Sequence, residues 1–179
     1  MMTIDDAIEL VQRLSVATKH LPTGFTYQVF TDDTNTHRPG APFWQWFREW
    51  HKILFGAATV SAPEITDCYG VYVIAEAANR EVVYIGKATP NNYLAAEMMT
   101  QIQAKRAADG TVEFSGGKRL FKKPRLTPSQ RQAVLTGDLL VALVQIDPWA
   151  CAAHVESYLH AAAFITCDGQ LPAGNDRIG

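Results

Sequence analysis

Long hydrophobic runs are missing from this chain. No stretch approaches the ~18 consecutive apolar residues that a membrane-spanning helix requires. Residues 1–6 are acidic and lack the basic and apolar regions of a secretory signal peptide. The sequence therefore predicts a cytoplasmic protein with no membrane segment.

Cysteine is scarce, and several well-known catalytic motifs are missing. Cys68, Cys151 and Cys167 are odd in number and far apart, with no CxxC spacing. This argues against a disulfide framework or a structural zinc site and favours a reducing intracellular compartment. There is also no glycine-rich phosphate loop, no GxSxG and no HExxH, so an unrelated enzyme acting on small molecules has no support.

The net charge of the 179 residues is only −2, but the basic residues are unevenly distributed. Residues 105–131 hold eight of the 16 basic side chains and two acidic ones. A local excess of this kind can hold a polyanion backbone, although a solvated basic loop would look the same. The candidates for nucleic-acid binding are Lys118, Arg119, Lys122, Lys123 and Arg125.

The N-terminal third predicts two helices and a short strand. Thr3 can cap the first helix, which Pro22 and Gly24 end, and residues 25–30 alternate as a strand does. Residues 42–55 predict a helix dense in aromatic side chains, of which Phe43, Phe47 and Trp50 lie with Leu54 on one stripe typical of a core. Trp44 and Trp46 lie off that stripe and are candidates for base stacking or partner recognition.

Two short aromatic–glycine strings stand out in the remaining chain. Gly70-Val71-Tyr72 and Tyr84-Ile85-Gly86 each belong to an apolar stretch, and the polar residues 76–81 separate them. This arrangement predicts a β-hairpin whose two tyrosines lie near each other on one face.

The segments after the hairpin complete an α/β pattern. We expect a helix over residues 93–108, an edge strand at 112–114, a helix beginning at Thr127-Pro128, a buried strand at 138–146 and a helix from Asp147-Pro148 to about 165. The predicted fold is an α/β (α+β) sandwich with a mixed or antiparallel sheet of about three strands flanked by helices. Residues 1–62 form a mainly helical N-terminal extension and residues 63–179 the second domain.

The two aromatic–glycine strings, in this order and at this spacing, resemble those of the GIY-YIG nuclease family. The resemblance covers residues 67–179, which are about 60% of the chain. The later landmarks of that family are a helix bearing a glutamate and an asparagine that follows a proline. They correspond here to Glu156 and to Asn175 after Pro172. The resemblance implies a metal-dependent endonuclease that hydrolyses DNA phosphodiester bonds.

The resemblance assigns roles to individual residues. Tyr72 is the expected general base, with Tyr84 as its hydrogen-bonding companion, and Asn175 anchors the site or contacts a phosphate. A phenol with a pKa near ~10 is a poor base, but a nearby cation such as Lys87 favours the phenolate. Glu156 could hold one Mg²⁺ or Mn²⁺ ion, with water and phosphate as its other ligands.

His160, four residues after Glu156, shares its helix face and could act as an auxiliary proton carrier. Each of these residues also has a purely structural interpretation. A strand tyrosine can fill a core, a helical glutamate can be solvated, and a histidine can lie on the surface or be capped in the core.

One landmark of the family is missing. The helix after the second string normally carries an arginine that clamps the scissile phosphate, but Ala95 or Ala96 occupies that position here. Three explanations remain open: alanine replaces a natural arginine in an inactivated variant, a basic residue of the 118–125 loop reaches in, or the domain has lost catalysis.

The sequence thus leads to one functional hypothesis and one alternative. The first is a GIY-YIG-type endonuclease acting on double-stranded DNA. The alternative is a catalytically inactive domain that binds nucleic acid or a protein. The N-terminal extension would mediate a protein contact or a homodimer.

Overall fold

The computed structural model describes residues 1–31, 69–90, 104–106, 112–114, 120, 122–136 and 138–177. Within these ranges the chain forms helices, strands and one short 3-10 turn at Trp149–Cys151. In chain order the elements are α1 (Ile4–Thr18), β1 (Thr26–Thr31), β2 (Gly70–Glu76), β3 (Val82–Ala88), β4 (Ala104–Arg106), β5 (Val112–Phe114), α2 (Pro128–Thr136), β6 (Leu139–Asp147) and α3 (Ala152–Thr166).

A four-stranded antiparallel sheet in the order β1-β6-β2-β3 forms the centre of the fold. The two strings pair as the predicted hairpin, with Tyr72 opposite Gly86. On its other side β2 pairs with β6, whose apolar run is buried along nearly all its length, and Tyr72 lies opposite Leu143. The α+β fold class and the buried strand are therefore confirmed. The sheet has a fourth strand because β1 adds to the free edge of β6.

Both faces of this sheet are covered. Helices α1 and α3 pack on one face, which we call the helix face, against Val71, Val73, Ala142 and Val144. Because side chains alternate along a strand, Tyr72, Ile74, Val141 and Leu143 point to the opposite face, which we call the tyrosine face. All four are buried there, as is Leu120.

The helix starts follow the capping signals in the sequence. The Thr3 side chain accepts a hydrogen bond from the Asp6 backbone, and the Asp6 carboxylate accepts one from the Thr3 N–H in return. At α2, Thr127 and Gln130 exchange backbone and side-chain hydrogen bonds in the same way. These reciprocal bonds satisfy N–H groups that a helix start leaves without partners.

One predicted secondary-structure element is wrong where the structure can test it. Residues 104–106, expected near the end of a helix, form strand β4, which pairs antiparallel with β5. An Asp-Gly dipeptide, here Asp109-Gly110, is typical of a hairpin as well as of a helix end. The cross-strand hydrogen bonds with β5 outweigh the local helix preference. The strand expected at 112–114 is present.

Residues 1–31 contribute to the same core as residues 69–177, through α1 and β1. The boundary predicted at residue 62 lies outside the described residues. None of the helices in the described ranges has the length and apolar character needed to cross a membrane.

Candidate functional site

The two tyrosines of the strings form a stacked pair on the tyrosine face. Their ring centroids are 5.9 Å apart and their planes differ by 24°. Tyr72 is only 1% exposed, while Tyr84 is half-buried. The hairpin therefore brings the tyrosines together as the sequence predicts, with one phenol in the interior and the other nearer to solvent.

Gly86 is what allows the Tyr72 ring to lie across β3. A Cβ atom added at this glycine would approach Cζ and Oη of Tyr72 to 2.4 Å and Cε1 of Tyr84 to 2.8 Å. No real Cβ contact is that short, so any side chain at this position would displace the ring. The glycine of the second string thus acts through close packing.

Lys87 and Glu156 form an ion pair on the other side of the sheet, the helix face. Lys87 lies opposite Val71 in the β2–β3 register, and Val71 belongs to the core under α1 and α3. The Lys87 ammonium contacts the carboxylate of Glu156, which lies on α3. The Glu156 side chain is 8% exposed and that of Lys87 is 33% exposed. The expected cation beside the tyrosines is therefore engaged with the carboxylate on the opposite face.

His160 lies one turn beyond Glu156 on α3 and is 1% exposed. Burial lowers the pKa of the His160 imidazole below its ordinary value. The Glu156 carboxylate and hydrogen bonds to the Ile85 backbone and the Asn175 side chain act in the raising direction. The histidine thus lies where α3, β3 and the C-terminal tail meet.

Asn175 completes the outer edge of β3. Its Oδ1 accepts a hydrogen bond from the Ile85 N–H at 2.9 Å, and its Nδ2 donates to the Ile85 carbonyl at 2.7 Å. The Gly174 N–H donates to the Val83 carbonyl at 2.8 Å. The tail therefore supplies hydrogen-bond partners to an edge strand, and the Asn175 amide is committed to anchoring.

The described part of the basic segment is tied to the same tail. Lys123 forms an ion pair with Asp176. Arg125 donates to the carbonyl oxygens of Leu171 and Pro172 at 3.3 and 3.2 Å. Lys122 is exposed. Two cations proposed for nucleic-acid binding thus hold residues 171–176 in place.

The predicted site residues meet around β3, but on two faces of the sheet. Tyr72 and Tyr84 lie on the tyrosine face, whereas Lys87, Glu156 and His160 lie on the helix face. Outside the described residues lie Trp44, Trp46, Ala95, Ala96, Lys118 and Arg119.

Two features of this region were not predicted from the sequence. One is the close approach of the Tyr72 ring to Gly86, which depends on strand register. The other is the Lys123–Asp176 ion pair. A signal for the second does exist, because Asp176 directly follows the asparagine that anchors the tail.

The side chains around Glu156 determine how a divalent ion could bind there. Among the described residues no group of three or more His, Cys, Asp or Glu side chains is gathered as a metal site. An ion at Glu156 would therefore take most of its ligands from water and phosphate, as Mg²⁺ commonly does. It would also have to displace the Lys87 ammonium from the carboxylate.

Comparisons of the chain with known protein families, with curated proteins and with solved structures give no match. The assignment of a function therefore depends on the residues and contacts described above.

Proposed function

We propose that this chain is a metal-dependent endonuclease of GIY-YIG type that hydrolyses DNA phosphodiester bonds. The observation that supports it is the convergence of all the motif residues in the described ranges on one strand. Strand β3 carries Tyr84, which stacks against Tyr72, and Lys87, which forms an ion pair with Glu156. Asn175 hydrogen-bonds to the edge of the same strand. Residues far apart in sequence thus lie around β3, with the tyrosines on one face of the sheet and Lys87 and Glu156 on the other.

The chain's own residues would divide the work as follows. In the stacked pair, Tyr72 as the phenolate would accept a proton from the attacking water and become the neutral phenol, while the Tyr84 hydroxyl would be its hydrogen-bonding companion. Lys87 and Glu156 place opposite charges where β3 meets α3. Asn175 keeps the β3 backbone in position.

Glu156 is the residue that would hold a Mg²⁺ or Mn²⁺ ion, and such an ion supplies positive charge that offsets the charge developing on the phosphate.

One observation favours a second candidate, a non-hydrolytic domain that binds nucleic acid or a protein. The ammonium of Lys87 occupies the Glu156 carboxylate, and the tyrosines face away from both. Alanine also stands at positions 95 and 96, where the family's arginine is expected. A scaffold that retains its motifs as packing elements would look the same.

Incubation of supercoiled plasmid with the purified chain and Mg²⁺ or Mn²⁺ separates the two. The nuclease proposal predicts nicking or linearisation that Glu156→Gln abolishes. The matched control is Glu9→Gln, which removes a carboxylate from the exposed Glu9–Arg13 pair on α1 and leaves β3 untouched.

Ala95→Arg and Ala96→Arg variants complete the test. Cleavage that appears only when arginine is restored would show that the machinery is present but incomplete. Binding without cleavage in the parent chain and in both arginine variants would overturn the nuclease proposal and support the second candidate.

A further inference from the structure

Asp176 lies in a surface patch otherwise made of cations. Lys123 and Arg125 contact the tail, and the exposed Lys122 and Arg177 directly adjoin Lys123 and Asp176 in the sequence. We call these four cations and the one carboxylate the tail patch: Lys122, Lys123, Arg125, Asp176 and Arg177. The proposed activity on DNA requires a surface that holds a phosphate backbone. Within the described residues this patch has the composition for that role.

The carboxylate in the patch is positioned where a phosphate would bind. Asp176 Oδ2 contacts the Lys123 ammonium, as a backbone phosphate oxygen would. The Asp176 side chain is 57% exposed and that of Lys123 is 24% exposed. Lys123 is therefore held in a defined place, while its acidic partner is the more accessible of the two.

Exchange of Asp176 for another anion would leave the fold intact. The preceding residues are fixed independently, since Gly174 bonds to Val83 and Asn175 bonds to Ile85. Arg125 holds Leu171 and Pro172 through their carbonyl groups. Only the Asp176 side chain has to rotate away for Lys123 to accept a new partner.

We propose that the tail patch is a binding surface for the DNA phosphate backbone, and that Asp176 is an intramolecular competitor that occupies Lys123 until DNA displaces it. This inference rests on the proposed function only in taking DNA as the partner. It requires no cleavage.

The test is a fluorescence-anisotropy titration of a labelled 20-base-pair duplex in EDTA, where metal-dependent hydrolysis is stopped. Asp176→Asn should lower Kd about fivefold at moderate salt, because DNA then no longer has to break an exposed ion pair. Asp168→Asn is the matched control. It makes the same charge change at an exposed position of the same segment, and we expect less than a twofold effect.

A double-mutant cycle separates local competition from a general change in charge. In a Lys123→Gln background, Asp176→Asn should improve binding no more than Asp168→Asn does. Lys123→Gln alone should reduce the slope of log K against log salt by about 0.9, the value for one lost phosphate contact.

Three results would overturn the inference. The first is an equal change in DNA affinity from Asp176→Asn and Asp168→Asn. The second is a gain in affinity from Asp176→Asn that persists in the Lys123→Gln background. The third is that neither the parent chain nor Asp176→Asn binds DNA. Plasmid cleavage in Mg²⁺ is read separately. If the chain cleaves plasmid but Asp176→Asn does not change DNA affinity, only the role of Asp176 as a competitor is rejected. If Asp176→Asn raises DNA affinity but no cleavage occurs, only the nuclease proposal is rejected.

Discussion

The two faces of the central sheet treat their polar groups differently. On the helix face, α1 and α3 cover an apolar surface in which Lys87 and Glu156 neutralise each other. On the tyrosine face, Tyr72 and Tyr84 stack above a glycine, and further along β2 the Glu76 carboxylate accepts hydrogen bonds from Ser129 and Asn79. One face balances charge with charge, whereas the other relies on rings and hydrogen bonds.

This difference shows how strand alternation separates residues that are adjacent in sequence. Gly86 ends the second string and Lys87 follows it directly, yet Gly86 contacts the tyrosines and Lys87 contacts α3. Lys87 is three residues from Tyr84 in the sequence, and strand alternation therefore puts the two side chains on opposite faces of the sheet. Substitutions on one face should therefore leave the other face unchanged.

The largest effect is expected on the tyrosine face, from Gly86→Ala. The added Cβ would lie 2.4 Å from the ring of Tyr72, a residue that is only 1% exposed. Overpacking of this kind costs about 3 kcal/mol. Urea unfolding followed by circular dichroism measures the change, and near-UV signals should report the displaced tyrosines. A loss below about 0.5 kcal/mol would show that the ring can move aside.

A smaller and asymmetric effect is expected on the helix face. Lys87→Met leaves the Glu156 carboxylate buried without its ammonium, whereas Glu156→Gln leaves a lysine that is one-third exposed and can turn to water. We expect a loss of about 2 kcal/mol for the first and about 1 kcal/mol for the second.

The same unfolding experiment tests this asymmetry, with Glu9→Gln as the control. That substitution breaks an exposed ion pair and should change the unfolding free energy by less than about 0.5 kcal/mol. Equal losses from Lys87→Met and Glu156→Gln would mean that burial does not distinguish the two partners.

The smallest effect concerns pH and His160. Burial lowers its pKa in the folded state, so below about pH 6.5 the unfolded chain binds a proton that the folded chain does not. The unfolding free energy should therefore decrease as the pH falls from 7.5 towards 6, by less than about 1 kcal/mol for this residue. His160→Gln should flatten that part of the pH profile. An identical slope in the variant would contradict the assignment.

Much of the secondary structure could be predicted because its causes are local. Thr3 and Thr127 have the side chains that cap helices, β6 is an unbroken apolar run, and the polar break between the two strings requires a reversal. Residues 104–106 could not be predicted in this way. Their secondary structure depends on pairing with β5, and local helix or strand propensities carry no information about that pairing.

The candidate site divides in the same manner. The resemblance of the sequence to the nuclease family predicts Tyr72, Tyr84, Glu156 and Asn175 as a set. Whether they meet depends on register and on helix packing. Strand register and helix packing place Lys87 against Glu156 and direct the Asn175 amide towards Ile85.

The sequence by itself determined the α+β class and the hairpin, because periodicity, capping and turn chemistry act over a few residues. Only the tertiary structure decided the fourth strand, the division of the motif between two faces, and the hold of the tail on Lys123 and β3. Those features arise from contacts between segments far apart in the chain, 90 residues for Asn175 with Ile85 and 121 for Thr26 with Asp147. Their free energy exists only once the sheet and α3 have come together.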